Sequence, residues 1–505
     1  MQSITHAPPY PPLPARFNLA AHVLAQTQSR PDAVALQVLG ENSTETLTYG
    51  AVLRAVQGVA SGLLAQGLTP GDRVLMRLGN SVEFPVVFLA AICAGLVPVP
   101  TSAQLTGPEV AKLCDLVEPA LIVAAPGVPL PDALTCPILP AHQLAAMHAL
   151  TPCPFDLGDA NRLAYIIFTS GTSGHPQAVA HAHRAILGRA MMLHGWYGLR
   201  ASDRLLHAGA FNWTYTLGTG LMDPWTVGAT ALIPAAGTPA SALPALLATS
   251  QATIFAAAPG VYRQLLRADI PPLPHLRHGL SAGEALAPAT RTAWTQATKT
   301  PVFEAFGMSE ISTFISGSPD RPAPTGSTGY AQPGRHVALL APDGTPVPIN
   351  TPGILAVHRN DPGLFLGYFR DPDATISRFA GDWYLTGDIG QMAPDGAITY
   401  LGRNDDMMNA GGFRVAPSEV EAAMAQHPSI TDCAAIEVTV APGTTIIACV
   451  YASALPLDPA TLAAHAETTL ARYKHPRAFH HQTTLPRTAN GKLNRKALRA
   501  AFTPN

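Results

Sequence analysis

Few residues of this 505-residue chain carry charge, and the charges nearly cancel. Asp, Glu, Lys and Arg make up 13% of the sequence, with 31 basic and 33 acidic residues and a net charge of −2. No basic excess is available for sequence-independent binding of nucleic acid or of an anionic membrane surface. Because hydrophobic residues make up 47% of the chain, the composition excludes a largely disordered protein and predicts a globular one of two or more domains.

The sequence also lacks long hydrophobic runs and clustered cysteines. Its longest apolar stretch, residues 84–99, is too short to span a bilayer and predicts a buried helix. The 6 cysteines show no CxxC spacing and the 18 histidines no HExxH spacing, which argues against a disulfide framework and a structural zinc site. Residues 1–17 are rich in proline and have no apolar signal-peptide core, so we expect a cytoplasmic protein with reduced cysteines.

Short apolar strands that alternate with helix-length segments predict an α/β fold. Strands such as residues 121–124 and 163–168 have the spacing of crossover units and of a largely parallel sheet. After about residue 325, short strands and PDG turns predict a β-rich subdomain. We therefore expect a large domain over residues 1–403 and a small α+β domain over residues 404–505.

A loop made only of hydroxyl residues and glycines is the most informative segment. It follows the apolar strand YIIF and reads TSGTSG, comprising Thr169, Ser170, Gly171, Thr172, Ser173 and Gly174. Glycine allows close backbone approach, and hydroxyls with exposed N–H groups can surround phosphate oxygens. The pattern GxxxxGK[ST] cannot be laid on this loop, so it is not a Walker A motif.

Five segments, in this order along the chain, resemble the motifs of the adenylate-forming superfamily of acyl- and aryl-CoA synthetases, peptide-synthetase adenylation domains and luciferases. They are TSGTSG at 169–174, EAFGMSE at 304–310, YLTGD at 384–388, GRNDD at 402–406 and PRTANGK at 486–492. Within the superfamily the chain is most similar to benzoate-type CoA ligases. The resemblance implies a large α/β adenylation domain and a small, mobile C-terminal domain that rotates between two half-reactions.

The resemblance implies a site for ATP and Mg²⁺. Glu310 is a hard oxygen ligand suited to magnesium, Ser309 would hydrogen-bond the α-phosphate, and Lys492 would bridge that phosphate and the substrate carboxylate. Asp388 would accept both ribose hydroxyls, and Arg403 would add a donor to the nucleotide. The other nucleotide-site residues, with Phe306 offering a flat face to adenine, are expected to be Gly283, Glu284, Glu304, Ala305, Phe306, Gly307 and Met308.

The resemblance also assigns the acyl pocket, the hinge and the CoA site. The hinge matches Asp405, and CoA is expected to pass Gly411, Gly412 and Phe413. The acyl pocket is expected to comprise Phe211, Trp213, Tyr215, Ala282 and Met308. Its three aromatics within five residues favour a small aromatic or alicyclic acid, and no acidic residue in that stretch marks recognition of an amino acid.

One departure from the family pattern leaves alternatives open. The loop usually ends in Pro-Lys-Gly, whereas this chain has Gln177 in place of the lysine and loses a positive charge near the pyrophosphate. A catalytically silent nucleotide-binding homologue is therefore one alternative. Another is a stand-alone adenylation enzyme that loads a carrier-protein thiol, because it shares the first half-reaction.

The function that we expect is an ATP-dependent, AMP-forming carboxylate–CoA ligase that requires Mg²⁺, ATP and CoA. Its partners would be these small molecules and the carboxylic acid, with neither nucleic acid nor membrane, and a homodimer stays open. The context of Lys492, Pro-x-x-x-x-Gly-Lys, resembles that in which such ligases are acetylated. A lysine acetyltransferase or deacetylase acting on Lys492 is therefore a further expected partner.

Overall fold

The computed structural model describes residues 1–41, 43–170, 176–404, 406–410, 413–441, 444–487 and 493–502. The strands of these segments are β1 Val34–Leu39, β2 Thr44–Thr48, β3 Arg73–Arg77, β4 Val97–Pro100, β5 Leu121–Ala124, β6 Ile138–Pro140, β7 Leu163–Ser170, β8 Pro176–Ala182, β9 Arg204–His207, β10 Thr230–Pro234, β11 Ile254–Ala257, β12 His278–Ala282, β13 Val302–Met308, β14 Ser312–Ser316, β15 Gly329–Ala331, β16 Val337–Leu340, β17 Gly353–His358, β18 Gly367–Tyr368, β19 Phe379–Ala380, β20 Trp383–Met392, β21 Ala397–Arg403, β22 Met408–Ala410, β23 Phe413–Val415, β24 Asp432–Ala441, β25 Thr444–Ala452 and β26 Ala478–Gln482.

The α-helices of the same segments lie between these strands. They are α1 Leu19–Val23, α2 Tyr49–Ala65, α3 Glu83–Cys93, α4 Gly107–Val117, α5 Leu144–Met147, α6 Ala185–Met192, α7 Thr214–Leu217, α8 Asp223–Val227, α9 Leu243–Thr249, α10 Pro259–Leu265, α11 Pro288–Thr298, α12 Pro372–Ile376, α13 Pro417–Met424, α14 Pro459–Thr469 and α15 Arg495–Phe502. Two single-turn π-helices extend α6 and α7, at Leu193–Tyr197 and Gly218–Met222.

The apolar stretch at residues 84–99 is not one helix, contrary to the prediction. Helix α3 ends at Cys93, and the stretch continues into the buried parallel strand β4. Gly95 adopts a φ of +74°, a left-handed conformation that ends the helix, and Pro98 has no N–H to continue one. The apolar pattern alone does not show this break, because buried helices and buried parallel strands are equally apolar, but Gly95 and Pro98 are local stop signals that could have placed it.

One long mixed sheet forms the centre of the large domain. Its strands follow the order β16-β17-β20-β21-β15-β14-β13-β12-β11-β9-β10-β1-β2, with β19 paired to β20. Strands β13, β12, β11, β9, β10 and β1 pair in parallel, whereas the strands from β14 to β21 pair antiparallel. This sheet therefore contains parallel strands and the predicted β-rich section after residue 325. The strands predicted at residues 121–124 and 163–168 lie in two smaller sheets, and the second of them is antiparallel, contrary to the prediction of a parallel one.

Four smaller sheets complete the described residues. Strands β4-β3-β5-β6 are parallel, and β7, β8 and β18 form an antiparallel sheet whose β7–β8 hairpin brackets the hydroxyl–glycine loop. After β21 come the β22–β23 hairpin and the sheet β24-β25-β26, whose apolar residues pack with helices α13 and α14. The last two sheets and their helices have the α+β composition predicted for the C-terminal part.

The cysteines are reduced, as the sequence predicts. All six cysteines are free thiols, and Cys93, Cys153 and Cys449 are buried. Within the part of the chain that the structure describes, no helix is both long enough and apolar enough to cross a membrane.

Candidate functional site

Some of the predicted nucleotide residues, Gly283, Glu284 and residues 304–308, lie at the carboxyl ends of the parallel strands β12 and β13 of the large sheet. Strands β9, β11, β12 and β13 pair side by side and point in one direction, so the residues that follow them meet at one edge. In open α/β sheets this edge is the usual place for a ligand. Strand β13 carries residues 304–308 to that edge, and a tight turn over residues 308–312 leads back into β14.

Close backbone contact between β13 and β14 shapes this turn. A side chain at Gly307 would place its Cβ 2.2 Å from the carbonyl oxygen of Ser312, so only glycine fits. Ser312 itself has a φ of +71°, which is uncommon for a residue with a side chain. The local geometry thus fixes where Ser309 and Glu310 project.

Glu310 is a buried carboxylate held by a tyrosine. It is 7% exposed, and the hydroxyl of Tyr368 donates a 2.8 Å hydrogen bond to its Oε1. The main-chain carbonyl of Glu310 accepts a 2.7 Å hydrogen bond from the N–H of Phe365. Burial, followed by the nearby carboxylate, raises the pKa of Tyr368 to about 12, so its hydroxyl remains a donor at neutral pH.

Ser309 links the turn to the helix expected to line the acyl pocket. The hydroxyl of Thr214, the first residue of α7, lies 3.4 Å from the hydroxyl of Ser309. The next residue, Tyr215, is on the same short helix. The contact between Thr214 and Ser309 therefore connects the residue expected to bind the α-phosphate with the helix expected to line the acyl pocket.

The adenine candidate Phe306 lies on β13, whereas the ribose and nucleotide candidates Asp388 and Arg403 lie on β20 and β21 of the same sheet. Phe306 stacks on Tyr400 with ring centroids 5.0 Å apart, so one of its faces is already covered. Asp388 in β20 pairs with Arg403 in β21 across the sheet, with Nη1 of Arg403 3.7 Å from Oδ2 of Asp388. Asp388 is 4% exposed. Ala305 pairs with Ala282 of β12, which places both at the same edge.

Two acidic residues expected in the nucleotide site already have cationic partners. The carboxylate of Glu304 is bound by Arg291 and by the N–H of Leu286, and burial raises the pKa of Glu304. Glu284 follows Gly283 after β12, and Nη1 of Arg487 lies 3.2 Å from its Oε2. Arg487 belongs to the PRTANGK segment, so this ion pair joins the C-terminal part to the edge of the large sheet.

The structure brings together some of the acyl-pocket residues and separates others. Tyr215 and Ala282 pack in one apolar cluster, and the hydroxyl of Tyr215 lies 3.2 Å from the carbonyl oxygen of Leu280. Phe211 is 1% exposed and stacks on Phe84 in the other large core, 5.1 Å between centroids. The remaining two are partly buried, Trp213 capping α7 and Met308 packing on the antiparallel section.

Several predicted residues lie outside the described residues, so their roles stay predictions. These are Gly171, Thr172, Ser173 and Gly174 of the loop, the hinge Asp405, the CoA-site Gly411 and Gly412, and Lys492. The same holds for the side chains of Ser170 and Phe413, whose strands are described. At the base of the loop, Thr169 in β7 pairs with Gln177 in β8.

A buried ion pair that was not predicted from the sequence contacts the 308–312 turn at Ser312. Arg189 of α6 and Asp223 of α8 form two hydrogen bonds, 2.7 Å from Nε to Oδ1 and 2.6 Å from Nη2 to Oδ2. Both side chains are at most 5% exposed. Arg189 also contacts the hydroxyl of Ser312, and Tyr197 donates to Asp223 at 2.7 Å. Burial alone would lower the pKa of Arg189, but Asp223 raises it above its ordinary value.

We expect Asp223→Asn to destabilise the large domain by about 3–5 kcal/mol, because it leaves the guanidinium of Arg189 buried without its counter-ion. Urea unfolding, followed through tryptophan fluorescence, measures this loss. The matched control is Glu118→Gln, which breaks the exposed ion pair between Glu118 and Arg370 and should change stability little. Equal effects of the two substitutions would contradict the role assigned to the buried pair.

The other residues that sequence reasoning missed contact predicted ones from distant segments. Tyr368 holds Glu310, Tyr400 covers Phe306, and Thr214 reaches Ser309. Tyr400 stands two residues before the GRNDD segment, and this proximity was the one feature of the sequence that could have indicated its place in the site. Nothing near Tyr368 in the sequence indicates a contact 58 residues away.

Comparisons with known proteins identify the family. Residues 23–369 match the AMP-binding enzyme family and residues 419–492 match the AMP-binding enzyme C-terminal domain. The human mitochondrial acyl-coenzyme A synthetase ACSM2B is 29% identical, with 96% of this chain and 91% of that protein covered. A 3-hydroxybenzoate–CoA/4-hydroxybenzoate–CoA ligase of Thauera aromatica is 28% identical, with 92% and 94% covered.

A solved structure shows the same architecture. The benzoate CoA ligase of Burkholderia xenovorans LB400 superposes with a TM-score of 0.84 at 26% identity, over 96% of this chain and 100% of that one. The first family match alone spans well over half of the chain. Together with the geometry of the 304–310 segment, this shows that the chain belongs to the AMP-binding enzyme family of adenylate-forming acid–thiol ligases.

Proposed function

We propose that this protein is an ATP-dependent ligase that joins a small aromatic or alicyclic carboxylic acid to CoA. In the first half-reaction, a carboxylate oxygen attacks the α-phosphorus of ATP and pyrophosphate leaves, which gives an acyl-adenylate. In the second, the CoA thiol loses its proton, its sulfur attacks the acyl carbon, and AMP leaves. Splitting the reaction replaces one difficult step by two easier ones.

The observation that carries the proposal is the turn that holds Ser309 and Glu310 side by side. Ser309 faces the acyl-side helix through Thr214, and Glu310 is fixed by Tyr368. The α-phosphate would therefore lie between the acid and the rest of the nucleotide, as adenylation requires. Asp388 and Arg403 would bind the ribose and the nucleotide from the adjacent strands.

The residues present fit a magnesium ion that is held mainly by the phosphates of a bound nucleotide. No group of three or more histidine, cysteine or acidic side chains within the described ranges forms a metal cage. Mg²⁺ commonly uses one or two carboxylates together with substrate phosphates and water. Glu310 supplies one such carboxylate, and the ion would neutralise the charge that develops on the leaving pyrophosphate.

The two half-reactions would use the C-terminal part in different orientations. We propose residues 1–403 and 404–505 as the two domains, with Asp405 as the hinge. Lys492 would bridge the carboxylate and the α-phosphate during adenylation, and Gly411, Gly412 and Phe413 would face CoA afterwards. The ion pair of Arg487 with Glu284 and Asp432 supports an orientation in which the segment before Lys492 lies at the nucleotide edge.

The acid class is supported by the flat surfaces on the acyl side. Tyr215 stacks on Trp196 with centroids 5.8 Å apart, and Ala282 belongs to the same apolar cluster. Aromatic rings offer flat apolar surface to a flat substrate. The names of the Thauera and Burkholderia relatives, a hydroxybenzoate and a benzoate ligase, point the same way.

Pyrophosphate exchange with a panel of acids tests this function. We expect ATP–pyrophosphate exchange that depends on benzoate, cyclohexanecarboxylate or a substituted benzoate, and thioester with free CoA detectable by mass spectrometry. Exchange without CoA thioester would favour transfer to a carrier-protein thiol. Absence of exchange with every acid would favour a silent nucleotide-binding protein and overturn the proposal.

A further inference from the structure

Arg487 joins the C-terminal part to the large domain through two ion pairs. Its Nη2 lies 2.6 Å from Oδ2 of Asp432, the first residue of β24. Its Nη1 lies 3.3 Å and 3.2 Å from the two carboxylate oxygens of Glu284. The three side chains are between 21% and 32% exposed. A planar guanidinium can hold two carboxylates at once in fixed directions, which a single ammonium does less well.

The two carboxylates belong to different parts of the chain. Asp432 lies in the same C-terminal part as Arg487, so this contact does not depend on how that part is oriented against the large domain. Glu284 follows strand β12, two residues after Ala282, at the edge where the nucleotide residues lie. The contact between Arg487 and Glu284 therefore exists only in an orientation that brings the C-terminal part to this edge.

Arg487 also marks one end of the segment that carries Lys492. Arg487 pairs with Leu493 in an antiparallel bridge, and the N–H of Asn494 donates a 2.9 Å hydrogen bond to the carbonyl of Pro486. Lys492 is the residue directly before Leu493 in the sequence. The backbone that is paired with Arg487 is thus the backbone to which Lys492 is bonded. Fixing the side chain of Arg487 therefore fixes the base of the Lys492 segment.

A second arginine shares this charge cluster from the side of the large domain. Burial and the charge of Arg487 lower the pKa of Arg263 in α10, whereas Asp432 and Glu284 raise it. Without Arg487, the carboxylate of Glu284 would still have a cationic neighbour in its own domain. We therefore expect the large domain to tolerate the loss of Arg487, so that such a variant reports on the orientation of the C-terminal part.

We propose that Arg487 is a positioning residue for adenylation, which holds the Lys492 segment at the nucleotide edge through its ion pair with Glu284. Asp432 keeps the guanidinium of Arg487 in place within the C-terminal part. The pair with Glu284 must separate before that part can turn for the second half-reaction. The inference rests on the proposed ligase function, and it gives Glu284 a role other than the nucleotide contact that the resemblance implies.

The two half-reactions of Arg487→Met test the inference. The substitution keeps an apolar side chain and removes the guanidinium. We expect kcat for ATP–pyrophosphate exchange to fall by about 10-fold, because the Lys492 segment loses a charge-assisted contact that positions it. KM for the acid should change little, since the acid binds to the large domain. Thiolysis of supplied acyl-adenylate should not fall, because the second half-reaction requires this pair to be separated.

The comparison of the two activities does not require a fully folded preparation. Exchange and thiolysis are measured on one sample, so their ratio is independent of the fraction of folded enzyme. A purely structural role of Arg487 would lower both activities by the same factor. Equal losses in the two half-reactions, or no loss in either, would overturn the inference.

Glu284→Met and the double variant identify the contact through which Arg487 acts. If Arg487 acts through Glu284, Glu284→Met lowers exchange by a similar factor, and combining it with Arg487→Met lowers exchange no further. If Glu284 binds the nucleotide instead, its substitution raises KM for ATP and the two losses multiply. The second pattern would show that the assignment of Glu284 as the partner is wrong.

Lys474→Met is the matched control. Its ammonium forms a partly exposed ion pair with Glu419, 2.9 Å long, and both residues lie within the C-terminal part. Its ratio of exchange to thiolysis should equal that of the wild type. A change as large as that of Arg487→Met would contradict the inference, since loss of any ion pair in this part would then suffice.

The activity of the wild-type protein separates this inference from the proposed function. If the wild type supports no exchange with any acid, the ligase function fails and the inference fails with it. If the wild type is active and the ratio of exchange to thiolysis is unchanged in Arg487→Met, the ligase function stands and only the positioning role of Arg487 is wrong.

Discussion

Glu310→Gln is expected to lower kcat/KM for adenylation by about 100- to 1000-fold, with little change in thermal stability. The substitution keeps the size of the side chain and its capacity to accept from Tyr368, whose hydroxyl lies 2.8 Å from Oε1. It removes the negative charge that would hold Mg²⁺ against the phosphates. ATP–pyrophosphate exchange at saturating acid, with varied Mg²⁺, measures the loss.

Tyr368→Phe distinguishes the effect of the negative charge of Glu310 from the effect of its position. This variant keeps the Glu310 carboxylate but removes the hydrogen bond that fixes it, so we expect a loss of about 10-fold or less. The two effects should also differ in form, with Glu310→Gln raising the Mg²⁺ concentration needed for half-maximal exchange. Full activity of Glu310→Gln at low Mg²⁺ would remove Glu310 from the metal site.

Lys492→Ala is expected to lower adenylation by about 1000-fold and to leave thioester formation from supplied acyl-adenylate nearly unchanged. The reason is chemical, since two anions must meet at the α-phosphorus and a long, flexible ammonium can neutralise both. The second half-reaction joins a thiol to an already activated acyl group and does not need that charge. Pyrophosphate exchange and a thiolysis assay with synthetic acyl-adenylate measure the two steps separately.

Two further variants qualify this prediction. Lys492→Gln removes the charge as acetylation would, so it should behave like Lys492→Ala and reproduce the effect of acetylating the protein. Lys474→Ala is the control, because Lys474 is in the same C-terminal part and forms an ion pair with Glu419 at 2.9 Å. If both half-reactions fall together in Lys492→Ala, or neither falls, the assignment of Lys492 is wrong.

The sequence predicted the chemistry-bearing turn better than its surroundings. Residues 304–310 are contiguous, so their motif could be identified from local order alone, and the structure places them at one strand end and turn. The break between α3 and β4 was missed because the apolar run was interpreted as one element, although Gly95 and Pro98 mark the helix end in the sequence.

The partners of the predicted residues were out of reach for a different reason. Tyr368 bonds Glu310 across 58 positions, and Arg487 reaches Glu284 across 203. Contacts of this range depend on how separate parts of the fold pack together, since Tyr368 belongs to the β7-β8-β18 sheet and Glu310 to the turn between β13 and β14 of the large sheet.

Gln177 stands where the family pattern has a lysine, and this replacement is the departure that most affects the proposed chemistry. It pairs with Thr169 at the base of the hydroxyl–glycine loop, next to the segment expected to surround the phosphates. A glutamine amide can donate hydrogen bonds to phosphate but adds no charge. The ligase function therefore depends on neutralisation by the other groups, Mg²⁺ and Lys492 above all.

Isotope transfer from the acid to AMP tests the central claim most directly. The enzyme would be incubated with ATP, Mg²⁺, CoA and an aromatic acid labelled with ¹⁸O in its carboxylate, and the nucleotide product analysed by mass spectrometry. The account predicts AMP that contains one ¹⁸O atom, because the carboxylate oxygen that bonds to the α-phosphorus stays there when the thiol displaces AMP. Acyl-CoA formed together with unlabelled AMP, or with ADP and labelled phosphate, would contradict an acyl-adenylate intermediate.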